Sequence, residues 1–354
     1  MGLYVDIEKK LPGFDLKVKF NTDDNVLGLL GASGSGKSMT LRCIAGLENP
    51  SKGRIVLNER VLYDSEKGIN IPSRKRKIGF LFQNYALFPN MTVTQNISFG
   101  IKNLSKQEQA KIVDEKIEMM QLQGLENRFP GQLSGGQQQR VAIARALAID
   151  PEALLLDEPF SALDNYLRGE MEKKIIDTLS QYKGTAVFVS HNMDEVYRVC
   201  NKLVVLSKGK VAACGSREDI FENPPTLSAA QLTGCKNISR TKLIDENTVE
   251  ALDWGCTIKL NKKVSDPLSY VGIRAHNIIL TEEQGKNNVC KCQINYVKES
   301  PFSVTLYLDS VEEKPYVKTK SLQWEVSKEK WETLKRLQQP LNIHINPEKV
   351  FMIK

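Results

Sequence analysis

Between an apolar run, Val26-Leu-Gly-Leu-Leu30, and a stretch of helical spacing from Lys37 to Leu47 lies Gly31-Ala-Ser-Gly-Ser-Gly-Lys-Ser38. The string fits G-x-x-x-x-G-K-[ST], a loop that works only between a buried strand and a helix start. Both flanks are present: the apolar run reads as a strand, and Met39, Leu41, Ile44 and Leu47 recur at helical intervals. Glycines 31, 34 and 36 permit backbone conformations closed to residues with a Cβ. Successive N–H groups can then converge on an anion, while the helix N-terminus adds the positive end of its dipole. Residues 31–38 therefore read as a cradle for nucleotide phosphates, with Lys37 reaching the β and γ phosphates and the Ser38 hydroxyl on Mg²⁺.

The chain supplies companions at the ends of further strands. Leu3–Ile7 and Phe14–Phe20 alternate apolar and polar residues about Pro12-Gly13, which predicts an antiparallel sheet flanking the loop. Lys52–Asn58 reads as a turn and strand, and Ile78–Phe82 as a buried strand ending at Gln83. Residues 104–125, with Ile112, Val113, Ile117 and Met120, mark an amphipathic helix outside the main sheet. Leu133-Ser-Gly-Gly-Gln137 then opens a helix over Gln138–Ala148; Ser134 is placed to cap it, and Gly135 and Gly136 offer a second phosphate contact. Ala153–Asp157 is a buried strand ending in Asp157 and Glu158, at the sheet end where open α/β folds bind ligands. Asp157 is suited to hold Mg²⁺ through water and Glu158 to act as general base on an attacking water. Ser161-Ala-Leu-Asp164 follows, and a further strand, Thr185–Ser190, ends at His191 on the same sheet edge.

A length of 354 residues suggests two domains. The net charge of +7 is spread among acidic residues, so nothing demands a nucleic-acid surface, and Arg74-Lys-Arg-Lys77 reads as a solvated loop. Seven cysteines are scattered without zinc spacing, which fits a reducing compartment; Cys290 and Cys292 read as small apolar residues on one strand face. The start lacks the cationic and apolar regions of a signal peptide, and no run approaches the ~18 apolar residues of a membrane span. A cytosolic or peripheral chain is the expectation.

Taken together, the loop at 31–38, Gln83, Leu133–Gln137, Asp157, Glu158, Ser161–Asp164 and His191 occur in the order found in the ATP-binding subunits of ABC transporters, and the first ~230 residues resemble that family. The resemblance implies an α/β P-loop NTPase domain over 1–230, with a helical subdomain at about 84–150. It implies ATP and Mg²⁺ as ligands, contacted by Gly31, Ala32, Ser33, Gly34, Ser35, Gly36, Lys37, Ser38 and Met39. Lys37, Gln83, Glu158 and His191 would be catalytic, and Ser38, Gln83 and Asp157 would hold the metal. Gln83 senses the γ-phosphate and couples it to a membrane partner. Phe14, rather than Tyr4, is expected to stack on the base. One loop and one signature on a single chain face opposite ways in this family. Two chains would therefore pair, Ser134, Gly135, Gly136 and Gln137 of one closing over ATP on the other, with Asp164 bridging the halves.

Within the family the chain is most similar to oxyanion importer ATPases, above all the molybdate subunit, on Lys52–Asn58, Glu66–Ile69 and Ile78–Pro89. Sulfate, phosphonate and sugar importers share many of these features. The resemblance implies integral membrane permease subunits as partners, docking on Tyr85–Pro89, and indirectly an extracytoplasmic solute-binding protein, with the chain peripheral on the cytoplasmic face of the membrane. A soluble ABC ATPase of translation or DNA repair and a non-hydrolysing nucleotide switch are the rival classes. After Asn223-Pro-Pro225 short alternating strands take over, predicting an all-β, OB-like domain over 236–354, and the resemblance of Val271–His276 to the family's regulatory-domain strand implies a regulatory role for it. Residues 287–354 resemble a small molybdate-binding lobe. Where such a lobe shows an arginine, this chain reads Gly285-Lys-Asn-Asn288, leaving Lys286 or Lys291 to bind an oxyanion, or a structural lobe that stabilises the dimer. No aromatic ladder with basic neighbours marks a nucleic-acid surface.

Overall fold

The structure, a computed structural model, describes residues 2–22, 26–161, 165–264, 268–282, 287–311 and 320–353. The chain divides into two compact units, Met1–Arg217 and Glu218–Lys354.

In the first unit, β1 (Leu3–Leu11) and β2 (Phe14–Thr22) form a hairpin across Pro12-Gly13, burying alternate side chains as the sequence alternates. β3 (Val26–Gly31), α1 (Lys37–Ala45), β4 (Lys52–Leu57), β5 (Arg60–Asp64), β6 (Ile69–Asn70) and β7 (Ile78–Leu81) follow. Next come α2 (Val93–Ser98), α3 (Lys106–Met119) and α4 (Gly135–Ala148), then β8 (Ala153–Asp157), α5 (Asn165–Gln181), β9 (Thr185–Ser190), α6 (Met193–Val199), β10 (Lys202–Ser207) and β11 (Lys210–Ser216). Eleven strands join one sheet in the order β6-β5-β4-β1-β2-β11-β10-β3-β9-β8-β7.

The run β10, β3, β9, β8, β7 is parallel, while β1 pairs antiparallel with β2 and β4, giving the expected flanking sheet. Strands covered on both faces must be apolar throughout, and every residue of β3, β8 and β9 is buried. Each fully buried aliphatic side chain there contributes about 1.5–3 kcal/mol. The parallel strands thus form a rigid platform, and the α2, α3, α4 insert between β7 and β8 packs on it through α4 and β7.

Arg76 departs from the solvated loop expected for 74–77. Arg74, Lys75 and Lys77 are exposed, but Arg76 is fully buried beneath the C-terminus of α1. Its Nη1 donates to the carbonyls of Cys43 and Ile44 at 2.9 and 2.7 Å, Nε to Ile71 O at 2.7 Å and Nη2 to Asn70 Oδ1 at 3.0 Å. A cation there satisfies carbonyls that a helix end leaves unpaired and meets the negative end of its dipole. Gly46, left-handed at φ 72°, makes room: a Cβ would come within 2.5 Å of Arg76 Nε.

The division falls at the first residue of α7 (Arg217–Glu222), and α8 (Leu227–Leu232) follows in the second unit. β12 (Asn237–Asp245), β13 (Thr248–Ala251), β14 (Cys256–Lys259), β15 (Tyr270–Ile273), β16 (Ile278–Leu280), β17 (Val289–Glu299), β18 (Ser303–Ser310) and β19 (Leu322–Ser327) follow; α9 (Lys328–Leu334), β20 (Leu341–Ile345) and β21 (Val350–Ile353) end it. Where an all-β, OB-like barrel is the expectation, the strands form two five-stranded antiparallel sheets, β14-β13-β12-β15-β21 and β16-β20-β17-β18-β19, over one apolar core. Residues 287–354 do not stand apart as a lobe, because β21 pairs with β15 and β20 with β16. Cys256 and Cys290 are joined as a disulfide between the two sheets, where spacing alone suggested unpaired thiols; their separation of 34 residues on different strands hid the pairing. Cys292 is buried, as expected of a small apolar residue.

Candidate active site

Four loops leave the carboxyl ends of four adjacent strands: residues 31–38 after β3, His191 after β9, Glu158 after β8 and Gln83 after β7. The register sets Leu30 beside Ser190, Asp157 beside Val189 and Leu81 beside Leu156, so these ends are level. Such a sheet edge, with a helix N-terminus at its rim, is where open α/β folds hold ligands.

The loop is built as the glycine pattern requires. Gly34 and Gly36 take φ of 75° and 104°, and a Cβ on Gly31 would meet Leu206 O at 2.6 Å. Lys37 is 5% exposed and its Nζ donates to the carbonyls of Gly31 and Ala32 at 2.8 and 3.0 Å. Ser38 Oγ donates to Asp157 Oδ1 at 2.9 Å. Glu158 is left-handed at φ 48°, an uncommon state for a residue with a long side chain. Its Oε2 accepts from Gln83 Nε2 at 3.2 Å and its Oε1 stands 3.2 Å from His191 Nδ1. Sequence-distant Lys37, Ser38, Gln83, Asp157, Glu158 and His191 thus meet at one edge.

The charges here are under-solvated. Burial pushes the Lys37 ammonium below its ordinary range, against the pull of Glu158 and Asp157. Burial likewise pushes the Asp157 carboxyl up, only partly opposed by the Ser38 hydrogen bond. A buried cation waiting for an anion lies next to a buried carboxylate waiting for a cation. Ser35 Oγ, buried in the same loop, has no hydrogen-bond partner. The donor set suits a phosphate chain with Mg²⁺: a hydroxyl, one carboxylate and an amide oxygen are hard oxygen ligands that leave positions for phosphate and water. Among the described residues no group of three or more His, Cys, Asp and Glu side chains is clustered as a metal cage.

Other expected residues are placed elsewhere. Ser134 Oγ accepts from Gln137 N–H at 3.3 Å while Gln137 Oε1 accepts from Ser134 N–H at 2.9 Å, a reciprocal cap on α4. Among the described residues no hydrogen bond joins Ser134, Gly135, Gly136 or Gln137 to the 31–38 loop. Asp164 lies outside the described residues, as do Gly285 and Lys286; Ser161 donates from Oγ to Glu158 O at 3.0 Å. Phe14 packs half-buried against the sheet core beside Gly36, Met39 lies against the same core, and Tyr4 Oη donates to Asp6 Oδ2.

Three supporting residues escape a reading by motif. Ser190 Oγ donates to buried Glu195 Oε2 at 2.5 Å and accepts from Asn192 N–H at 2.9 Å, bracketing His191. Asn96, fully buried, holds residues 88–92 through its side-chain amide. Arg145 donates to the carbonyls of Tyr85 and Ala86. Its signal was a lone charge inside the apolar run Val141–Ala148.

Comparison with known proteins agrees with this geometry. The family model described as ABC transporter matches residues 15–161. The chain is similar to a sulfate/thiosulfate import ATP-binding protein of Synechocystis sp., 47% identical over 219 residues, 61% of this chain and 60% of the relative's length. It is similar to an Fe(3+) ions import ATP-binding protein of Haemophilus influenzae, 40% identical over 259 residues and 72% of either chain. Among solved structures, a dimeric ATP-binding cassette in a post-hydrolysis state bound to ADP and Pi superposes with a TM-score of 0.53 at 29% identity, covering 61% of this chain and 99% of that one.

Proposed function

This chain belongs to the ABC transporter ATPases, and from that premise we propose that it is the ATP-hydrolysing subunit of an oxyanion importer, with sulfate or thiosulfate as its solute. The observation that carries the hydrolytic reading is the Glu158 carboxylate, positioned by Gln83 and His191 beside the buried Lys37 and Ser38. In this reading Gly31–Met39 cradle the phosphates, with Lys37 turning from its own loop carbonyls to the β and γ phosphates. Ser38, Asp157 and Gln83 hold Mg²⁺, which when bound neutralises charge developing on the phosphate oxygens. Glu158 accepts a proton from the water that attacks the γ-phosphoryl group, and His191 stabilises the charge on that group. Phe14 supports the base.

The second half of each site comes from a second copy of the chain. Ser134–Gln137 form a capped turn with no hydrogen bond to the 31–38 loop of the same chain among the described residues, and the similar solved cassette is a dimer. Two-fold pairing makes two equivalent sites, with Asp164 at the seam. Permease subunits would dock on Tyr85–Pro89 and the neighbouring helical insert, with a solute-binding protein beyond them. No helix among the described residues is long and apolar enough to cross a membrane, which leaves a peripheral position at the cytoplasmic face of the membrane as the proposal.

Molybdate is set aside as the solute. The relatives are named for sulfate/thiosulfate and Fe(3+) import, which supports the sulfate alternative. In the second unit, Asn288 uses both ends of its amide on the Lys259 backbone, at 2.6 and 2.9 Å, so it fastens β14 rather than facing a ligand. That favours a regulatory or dimer-stabilising role for the unit over oxyanion capture. The test is uptake of labelled sulfate by cells carrying the chain or its Lys37→Ala variant. Loss of sulfate uptake with the variant supports the reading. Intact sulfate uptake with lost molybdate or iron uptake would reassign the solute, and Mg²⁺-dependent ATP hydrolysis surviving Lys37→Ala would overturn the site.

A further inference from the structure

Residues 85 and 86, just beyond Gln83, are both left-handed, at φ 59° for Tyr85 and 44° for Ala86, with no glycine to relieve them. Such a pair persists only where its surroundings over-determine it. The surroundings here converge on one side chain. Arg145, on α4, donates from Nη1 to Ala86 O at 2.7 Å and from Nη2 to Tyr85 O at 2.8 Å, a two-pronged clamp on the two strained residues. Its guanidinium also lies 5.3 Å from the centre of the Phe88 ring, which packs on Phe99 at 4.3 Å. Asn96 locks the far side, accepting from Phe88 N–H at 2.9 Å and donating to Phe88 O at 3.2 Å. Gln83 is therefore tied, two residues on, to the helix that Ser134 and Gln137 cap.

We propose that Arg145 is a positioning residue for hydrolysis: it holds the 85–88 segment in its strained form so that Gln83 stays within reach of Glu158, and thereby links the α4 helix to the hydrolytic carboxylate. This rests on the reading of Glu158 and Gln83 as hydrolytic groups. Arginine is needed because its planar fork bridges two carbonyls at once, whereas an ammonium reaches one at a time. Without the fork the segment relaxes, and an ångström-scale shift of a group aligned at a reaction centre costs about ten- to a hundredfold in rate.

The experiment is steady-state ATP hydrolysis by the purified full chain for Arg145→Ala, Arg145→Lys, Gln83→Ala and the two double variants. Arg145→Ala should lower kcat about tenfold and leave KM for ATP within about twofold, with Arg145→Lys between it and the parent. In the Gln83→Ala background either Arg145 change should cost almost nothing more, because both act through the same contact. A merely structural role would move melting temperature and KM while the two losses multiplied. Multiplying losses, or a kcat for both Arg145 variants within about twofold of the parent, would overturn the proposal. Should Arg145→Ala fail to fold, Arg145→Lys carries the same cycle. Hydrolysis surviving in Lys37→Ala would bring down the underlying site reading instead, so the two failures are distinguishable.

Discussion

Arg76→Met removes a guanidinium and leaves an apolar stem of similar length under α1. Of the main-chain acceptors it serves, Ile44 O and Ile71 O lose their donor, while Cys43 O keeps the Gly46 N–H at 3.2 Å. A buried acceptor left unpaired costs about 1–3 kcal/mol, so the gross loss is about 2–6 kcal/mol. Against this stands the desolvation of the cation, whose burial pulls Arg76 below its ordinary pKa range and is relieved by the substitution. A net loss of about 2 kcal/mol follows, near the lower bound of the gross figure. For a unit of this size that lowers the melting temperature by about 4–8 °C. Calorimetry of the nucleotide-free full chain measures it. Trp254, Trp324 and Trp331, the only tryptophans, all lie in the second unit, so their emission follows that unit separately. A shift of the first unit's transition below about 2 °C would refute the argument that those carbonyls depend on Arg76.

Glu158→Gln should reduce hydrolysis by about a hundredfold or more while ATP still protects the chain against heat; unchanged phosphate release would remove its role as base. Asp157→Asn should abolish hydrolysis yet raise the nucleotide-free melting temperature at neutral pH. Burial raises the Asp157 carboxyl above its ordinary range, so the folded state binds the extra proton, and stability is full below the unfolded pKa and falls as pH rises through the folded one. The gap between parent and variant should therefore close on acidification, and a gap that widened would reverse the sign of the reasoning. Phe88→Glu should leave hydrolysis by the isolated chain measurable and abolish solute uptake in cells; unchanged uptake would remove Tyr85–Pro89 as the docking surface.

The parallel core and the loop at its edge were legible because local and global signals coincide there: apolar runs of strand length, glycines at fixed offsets, and carboxylates at strand ends. Lys37, Ser38, Asp157, Glu158, Gln83 and His191 could all be named from such positions. Arg76 could not, because inside Arg74–Lys77 its neighbours are solvated and only the fold reveals which cation turns inward. Asn96 and Arg145 were hidden for a related reason: each serves main-chain groups of a segment far from it in sequence, and no side-chain pattern records that. In the second unit short strands announced themselves, but their partition into two sheets depends on long-range pairing such as β15 with β21, about which alternation is silent.

The phosphate cradle combines a left-handed Glu158 with an ammonium and a carboxylate that are both short of solvent. A fold carrying such a site is at its weakest without ligand, and nucleotide at a hundred times its dissociation constant adds about 2.7 kcal/mol to the folded state. Against a typical total of about 5–15 kcal/mol, that is a sizeable share. Proteases act on the opened chain, so the half-life of this subunit in the cell should track the supply of ATP: abundance would fall when energy runs short, before any change in synthesis.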